Sequence, residues 1–230
     1  MTEQNQFNQV IGHRIENWMP KQKPRREIML GNYCKLEPLD INSHTSKLFE
    51  AFQMNNQGET WTYLPFGPFN TEIEFKVWLS KVTLEKLFYT IIDNKHNLPQ
   101  GFASYHDIDL EHGVIEVGSI HYSKLLQKTR TGTEAMYLMM HHVFEELDYR
   151  RYQWRCNALN KGSRTAAERL GFKFEGIFRQ SNVFKGYNRD TAWYSIIDNE
   201  WPALKVKFQR WLDPSNFDTN GNQKVSLQAI

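Results

Sequence analysis

Two parts of this chain carry residue types and spacings suited to chemistry. The first is Gln127-Lys128-Thr129-Arg130-Thr131-Gly132-Thr133. It joins a β-branched run, Val114 to Ile120, to one in which Met136, Met139, Met140, Val143, Phe144 and Leu147 recur at helical spacing. A strand feeding a helix through small and basic residues makes an anion site. The first helical turn leaves N–H groups unpaired, the macrodipole adds positive potential, and Lys128 and Arg130 add fixed charge. Phosphate is the anion it suits. The second part is Glu116, inside the apolar strand Val114 to Tyr122. A carboxylate there is either paired with a cation, such as Arg155 on a neighbouring strand, or partly desolvated. Desolvation would lift its pKa toward that of a general base near neutral pH. Strict alternation puts Glu116 on a face with Val114, Gly118, Ile120 and Tyr122. His121, the other group poised for proton transfer, then points the opposite way with Ile115, Val117 and Ser119, as a core histidine.

The elements that must position these residues follow from periodicity and turn signals. Residues 1 to 32 are polar, contain Pro20 and Pro24, and show no sustained period, so they read as an arm lying on a domain of residues 33 to 212. Tyr33 to Glu37 predicts a strand, Ile41 to Phe52 a helix, and Glu72 to Leu87 a second helix behind the cap-like Asn70-Thr71. Phe88 to Asp93, Gly101 to Tyr105 and Val114 to Tyr122 predict an antiparallel meander. Beyond the helix after Gly132 come a strand, Tyr152 to Cys156, then Asn157-Ala158-Leu159-Asn160-Lys161-Gly162-Ser163, another helical run and the stop Leu170-Gly171-Phe172. Phe172 to Arg179 and Thr191 to Ile197 supply two more strands around a turn at 184–190, where Arg189 and Asp190 read as a local ion pair. Asn199 to Pro202 opens a closing helix, and residues 213 to 230 read as an irregular tail. The pattern is mixed α/β (α+β): a mostly antiparallel central sheet flanked by helices.

That order, with Glu116-Val117-Gly118, Gly132-Thr133-Glu134-Ala135, Asn160-x-x-Ser163 and Leu170-Gly171-Phe172-x-x-Glu175-Gly176, resembles the acyl-CoA-binding half of the GNAT N-acetyltransferase superfamily, and most closely its RimJ/RimL-type branch. The resemblance runs from about Tyr33 to Asp198. It implies an acetyl-CoA-dependent N-acetyltransferase that passes an acetyl group directly to a primary amine, either a protein N-terminus or a small molecule. It also implies that Ile120, residues 127 to 133 and Asn160 hold acetyl-CoA, Asn160 at a pantetheine amide, and that Ser163 lies near the departing sulfur as a hydrogen-bond donor or relay. Asn160 and Ser163 could equally do no more than cap the helix that follows. Arg130 departs from the family, whose loop has Gly at that position.

The aromatic loop Trp61 to Phe69 reads either as the wall of the acceptor pocket, with Trp61 and Tyr63 touching the amine substrate, or as a packed lid. A CoA-binding regulatory or interaction protein without turnover is the rival reading. A P-loop nucleotide site is excluded, because the loop lacks the Gly-Lys-Ser/Thr ending.

Composition narrows the rest. A chain of 230 residues is long for a marginal core and short for two domains. A net charge of +2 argues against nucleic acid as a partner, and the basic stretch Lys21 to Arg26 reads as a solvated segment. No apolar run reaches the ~20 residues of a membrane span, and the polar start lacks a secretory pattern, so a soluble cytoplasmic protein is expected. Its two cysteines, Cys34 and Cys156, lack metal-ligand spacing and read as reduced core thiols. His141 and His142, adjacent on a helix, are not a metal pair, and no metal is expected.

Overall fold

The strands predicted from alternation all join one sheet. In the computed structural model, which describes residues 2–54 and 58–230, ten strands and five α-helices form. Met1 of the arm lies outside the described residues. The arm contributes a small hairpin of β1 (Thr2–Gln4) and β2 (Val10–Gly12), then β3 (Met29–Leu30). β4 (Cys34–Pro38) is followed by α1 (Ile41–Gln53) and α2 (Glu72–Glu85). Next come β5 (Leu87–Asp93), β6 (Leu98–Asp109) and β7 (Val114–Tyr122), then α3 (Arg130–His141), β8 (Arg151–Asn157) and α4 (Lys161–Arg169). The chain closes with β9 (Lys173–Phe184), β10 (Tyr187–Ile197) and α5 (Trp201–Leu212). The main sheet has the order β3-β4-β5-β6-β7-β8-β10-β9 and is antiparallel except where β7 meets β8.

Each face of the sheet buries a different core. Tyr89, Ile91, Ala103, Tyr105, Ile115 and Val117 point to the side covered by α3 and α5, where they meet Met136, Met139, Met140 and Phe208. Phe88 and Phe102 point to the other side and meet Leu48 and Phe52 of α1 and Phe75 and Leu79 of α2. Helices lie on both sides because both faces of the central strands are apolar.

The sequence missed three features. The stretch before β3 is not simply solvated: Lys21 pairs with Asp148, Arg26 donates to the carbonyl of Thr83, and Tyr149 and Tyr89 donate to the carbonyls of Gln22 and Arg25. The tail is packed, with Phe217 against Trp211 and with Leu227 buried. α3 passes into a π-helical turn, His142–Glu146, which brings the Nδ1 atoms of both His142 and His141 to Glu146, at 2.9 and 3.5 Å. The two cysteines are buried and free.

Candidate active site

One irregularity in β7 governs the site. β7 pairs with β6 through His106↔Glu116, Tyr105↔Val117 and Ser104↔Gly118, and then through Phe102↔His121. From Gly118 to His121 is three steps while Ser104 to Phe102 is two, so β7 carries one extra residue, and Ser119 there has φ 49°. A β-bulge of this kind reverses the facing of every later side chain. The expectation from strict alternation therefore fails beyond Gly118. His121 lies on the Glu116 face, stacked on Trp61 with ring centroids 3.6 Å apart and edge-on to Phe52. Tyr122 turns to the α3 face, where its hydroxyl donates to the carbonyl of Gly132 at 3.0 Å.

The ladder between β7 and β8 also ends here. It runs from Val114↔Arg151 to Val117↔Trp154 and stops, while both strands continue. Past Val117 the two strands run on without pairing to one another, which leaves a slot in the ladder. Gly118 stands at its mouth, and a side chain at 118 would collide with the imidazole of His106, so glycine is required there for space.

Glu116 is 3% exposed, and a group of charges from four other elements surrounds it. The Arg155 guanidinium lies against Glu116 Oε2 and against Asp107, and His106 Nε2 is 3.5 Å from Oε1. The guanidinium therefore covers Oε2, and the imidazole of His106 stands beside Oε1. Trp193, paired across the sheet with Arg155, places its ring 4.7 Å from the guanidinium. Burial pushes the Glu116 carboxyl up to about 8, and the cations of Lys86 and Arg189 pull against it. Burial lowers His106 to about 3, assisted by Lys86 and Arg155, and burial alone lowers His121 to about 3. Both imidazoles are therefore neutral and weakly basic near pH 7. Of the two groups proposed for proton transfer, Glu116 has the better matched affinity.

The turn before α3 is built locally. Thr129 is the N-cap: its hydroxyl accepts the N–H of Gly132 at 3.0 Å and donates to the carbonyl of Leu126 at 2.7 Å. Arg130 and Thr131, next in the chain, have no acceptor for their N–H groups among the described residues. Lys128 is exposed with φ 60°. Arg130 is already helical, so the position tolerates a residue other than glycine. Its guanidinium is held between the rings of Tyr33 and Phe217, at 3.7 and 4.5 Å. Gly132 is buried, and a Cβ there would fall 2.7 Å from the carbonyl oxygen of Leu126. Gln127 donates to the carbonyl of Tyr122, and Thr133 accepts from Arg169.

Asn160 caps α4 by accepting the N–H of Ser163 at 3.0 Å, so the capping role is real. Ser163 Oγ accepts from Trp154 Nε1 at 3.0 Å and can direct its own proton to a sulfur, as it does toward the neighbouring Cys156. Trp154 belongs to the α3-side core, so Ser163 and Glu116 approach the slot from opposite faces. Trp61 is 4% exposed within the second core, while Tyr63 is 37% exposed. The Trp61 carbonyl accepts from Lys185 in the β9–β10 turn. Arg189 and Asp190 do not form the expected local pair: they are neighbours on a strand and face apart, and Asp190 accepts from the Gln180 N–H and the Asn188 amide instead.

Residues 36–173 match the family model described as "Acetyltransferase (GNAT) domain". The chain belongs to the GNAT acetyltransferase family. It is 46% identical to a GCN5-related N-acetyltransferase from Brucella melitensis, whose crystal structure aligns with a TM-score of 0.91 over 93% of this chain and 98% of that one. A structure from Chromobacterium violaceum titled "probable acetyltransferases (GNAT family)" is 36% identical, with a TM-score of 0.78 over 83% and 96% of the two chains. Among curated proteins, the chain is 30% identical over 105 residues, 46% of its length, to "Putative ribosomal N-acetyltransferase YdaF" of Bacillus subtilis (strain 168). That match spans 57% of the relative.

For this acetyltransferase, the charge cluster missed in the sequence is the main addition. Sequence pattern does not mark Lys86, His106, Asp107, Arg189 and Trp193 as site residues, because it predicts a strand that stops at Tyr105 and does not set the pairing of β8 with β10. Extending β6 by one residue would have placed His106 opposite Glu116. The donor atoms of His106, Asp107 and Glu116 lie within 4.8 Å of one another, close enough to hold a metal ion. The Arg155 guanidinium already sits on both carboxylates and supplies positive charge there. The donor set thus fits an ion-paired network better than a metal. Among the described residues no helix is long and apolar enough to cross a membrane.

Proposed function

We propose that this acetyltransferase moves an acetyl group directly from acetyl-CoA to a primary amine in a ternary complex, with Glu116 as general base. The observation that carries this reading is a buried carboxylate, raised toward neutral pH, beside a slot where the ladder between two parallel strands ends. The phosphates suit the turn of residues 127 to 133, where Lys128 and the N–H groups of Arg130 and Thr131 converge on one helix start. Ile120 borders the slot on β7, and Asn160 and Ser163 border it from α4. A carbonyl held at the bulge would meet backbone N–H groups freed from the ladder, which suit the negative charge that develops on its oxygen. As the C–N bond forms and the C–S bond breaks, the amine proton passes to the Glu116 carboxylate. Ser163 donates a hydrogen bond to the departing sulfur, which leaves readily as a thiolate.

The acceptor is a peptide N-terminus or a small amine, with Tyr63 at its entrance. The similarity to a relative named as a ribosomal N-acetyltransferase favours a peptide, acted on in the cytoplasm. A second reading has one specific support. With Arg155 seated on Glu116, the carboxylate could be purely structural in a CoA-binding protein without turnover. Thiol release from acetyl-CoA, measured against amines and N-terminal peptides alongside calorimetric CoA binding, separates the two. Amine-dependent release supports transfer; CoA binding without release against any amine supports the second reading.

A further inference from the structure

On the proposed transfer reading, we infer that the acceptor carries a carboxylate near its amine, bound by Arg189 and the indole N–H of Trp193. Two buried donors on β10 have no acceptor. Arg189 Nε and Trp193 Nε1 are buried, and neither has a hydrogen-bond partner. Native proteins rarely leave buried donors unmatched, and those that remain need an explanation.

Their placement gives one. Trp193 lies opposite Arg155, whose guanidinium touches Glu116, and Arg189 precedes it on β10, past an irregularity in the pairing with β9 between Arg189 and Thr191. Arg189 and Glu116 feel each other's charge, as do Lys86 and Glu116. Both donors therefore belong to the surroundings of the proposed base.

The charges do not balance. Arg155 is committed to Glu116 and Asp107. Lys86 and Arg189, both half-buried, have no carboxylate within 4 Å among the described residues, and burial lowers the pKa of each. Three cations thus face two carboxylates, and two of the cations lack a partner. Such a site repels a simple alkylammonium and attracts an anion. A bare amine would leave Arg189 Nε and Trp193 Nε1 unmatched, whereas a carboxylate supplies two acceptor oxygens, the pairing that guanidinium groups favour. The carboxylate can be the α-carboxylate of an amino acid or the side chain of an acidic N-terminal residue.

The test compares acceptors that differ only in that group: β-alanine with its carboxamide, and Asp-Ala-Ala with Asn-Ala-Ala, the peptides amidated at the C-terminus. The carboxylate member of at least one pair should show kcat/KM higher by about tenfold or more, because a site built for a polar group discriminates against the analogue lacking it. The pair that responds identifies the source of the carboxylate. Arg189→Gln should lower kcat/KM for the carboxylate acceptor about tenfold more than for its amide, chiefly through KM. Arg189→Lys should recover part of that difference, and Trp193→Phe, which keeps the ring on Arg155, should reproduce a smaller loss. Equal rates for acid and amide in both pairs, or equal losses for both in Arg189→Gln, would overturn the inference. Calorimetry of N-acetyl-β-alanine and N-acetyl-Asp-Ala-Ala against their amide counterparts gives a readout independent of turnover. Preferential binding of the carboxylates to a protein that does not turn over would sink the transfer reading and keep the anion site; no preference would sink the site itself.

Discussion

The turn at the start of α3 and the charge cluster around Glu116 are built in opposite ways. In the turn, the cap from Thr129 to Gly132 spans three residues, as does the hydroxyl bond from Thr129 to Leu126. Around Glu116 the partners come from elsewhere: Lys86 from the end of α2, His106 from β6, Arg155 from β8, and Arg189 and Trp193 from β10. The difference teaches that a site for a constant ligand part can be held by one short segment. A site that must recognise a variable partner draws on several strands, each of which can change without disturbing the others. The bulge in β7 serves both regions, sending His121 to one face and Tyr122 to the other.

The largest expected effect would break the locally built region at its strongest long-range tie. Glu134, buried on α3, accepts the N–H groups of Asn32, Tyr33 and Cys34 at 2.9, 2.6 and 2.8 Å. Glu134→Ala strands all three and should cost about 3–5 kcal/mol, in line with removing one partner of a buried charged network. Denaturant unfolding measures it. A loss below about 1 kcal/mol would show that water replaces the carboxylate, and that α3 is not anchored through it.

Next comes the cluster. Glu116→Gln should lower kcat by about 10²-fold while acetyl-CoA still binds. A base works ionised, so in the parent the rate should fall as pH drops through about 8, and this acidic limb should vanish in the variant. Stability gives a second check. A carboxyl whose pKa rises from 4.5 in the unfolded chain to about 8 in the fold contributes stability that is complete below the first value and lost as pH rises to the second. The melting temperature of the parent should therefore decline relative to that of the variant across that window. Parallel curves would mean that Arg155 holds Glu116 ionised throughout, which makes it a structural acid.

The donor turn is probed more gently by Lys128→Glu, because Lys128 is exposed. Reversing its charge should weaken CoA binding about tenfold, or ~1.4 kcal/mol, with folding intact. Gly132→Asp is a poor probe, since the new side chain would strike the Leu126 carbonyl and damage the turn itself. Arg130→Gly should cost stability of about 0.5–1 kcal/mol through its lost stacking on Tyr33 and Phe217. CoA affinity unchanged in Lys128→Glu would move the phosphate site away from this turn.

The smallest effect separates the two aromatics of the loop. Tyr63→Ala should leave the melting curve nearly in place and raise the acceptor KM a few-fold, because Tyr63 is 37% exposed. Trp61→Ala, by contrast, removes a buried ring stacked on His121 and should unfold the second core at a cost of about 3–5 kcal/mol. A Tyr63 variant that loses acetyl-CoA affinity equally would place the loop on the donor side.

The sequence by itself determined what depends on neighbours in the chain. Apolar periodicity located α1, α2 and the strands, except that β6, β9 and β10 are longer than expected; Thr71 is the cap of α2, and Thr129 opens α3 beside the anion-binding turn. These follow from side-chain spacing and from hydrogen bonds spanning three or four residues, which a linear reading contains. Only the tertiary structure decided which residues meet Glu116. Alternation put His121 on the wrong face because one extra residue at Ser119 changes facing without changing composition. The cations of β8 and β10 reach Glu116 through a register set by packing of the whole sheet, and the slot exists because a ladder stops at Val117. Register and ladder ends depend on how distant strands bury their apolar faces together, so no local pattern carries them.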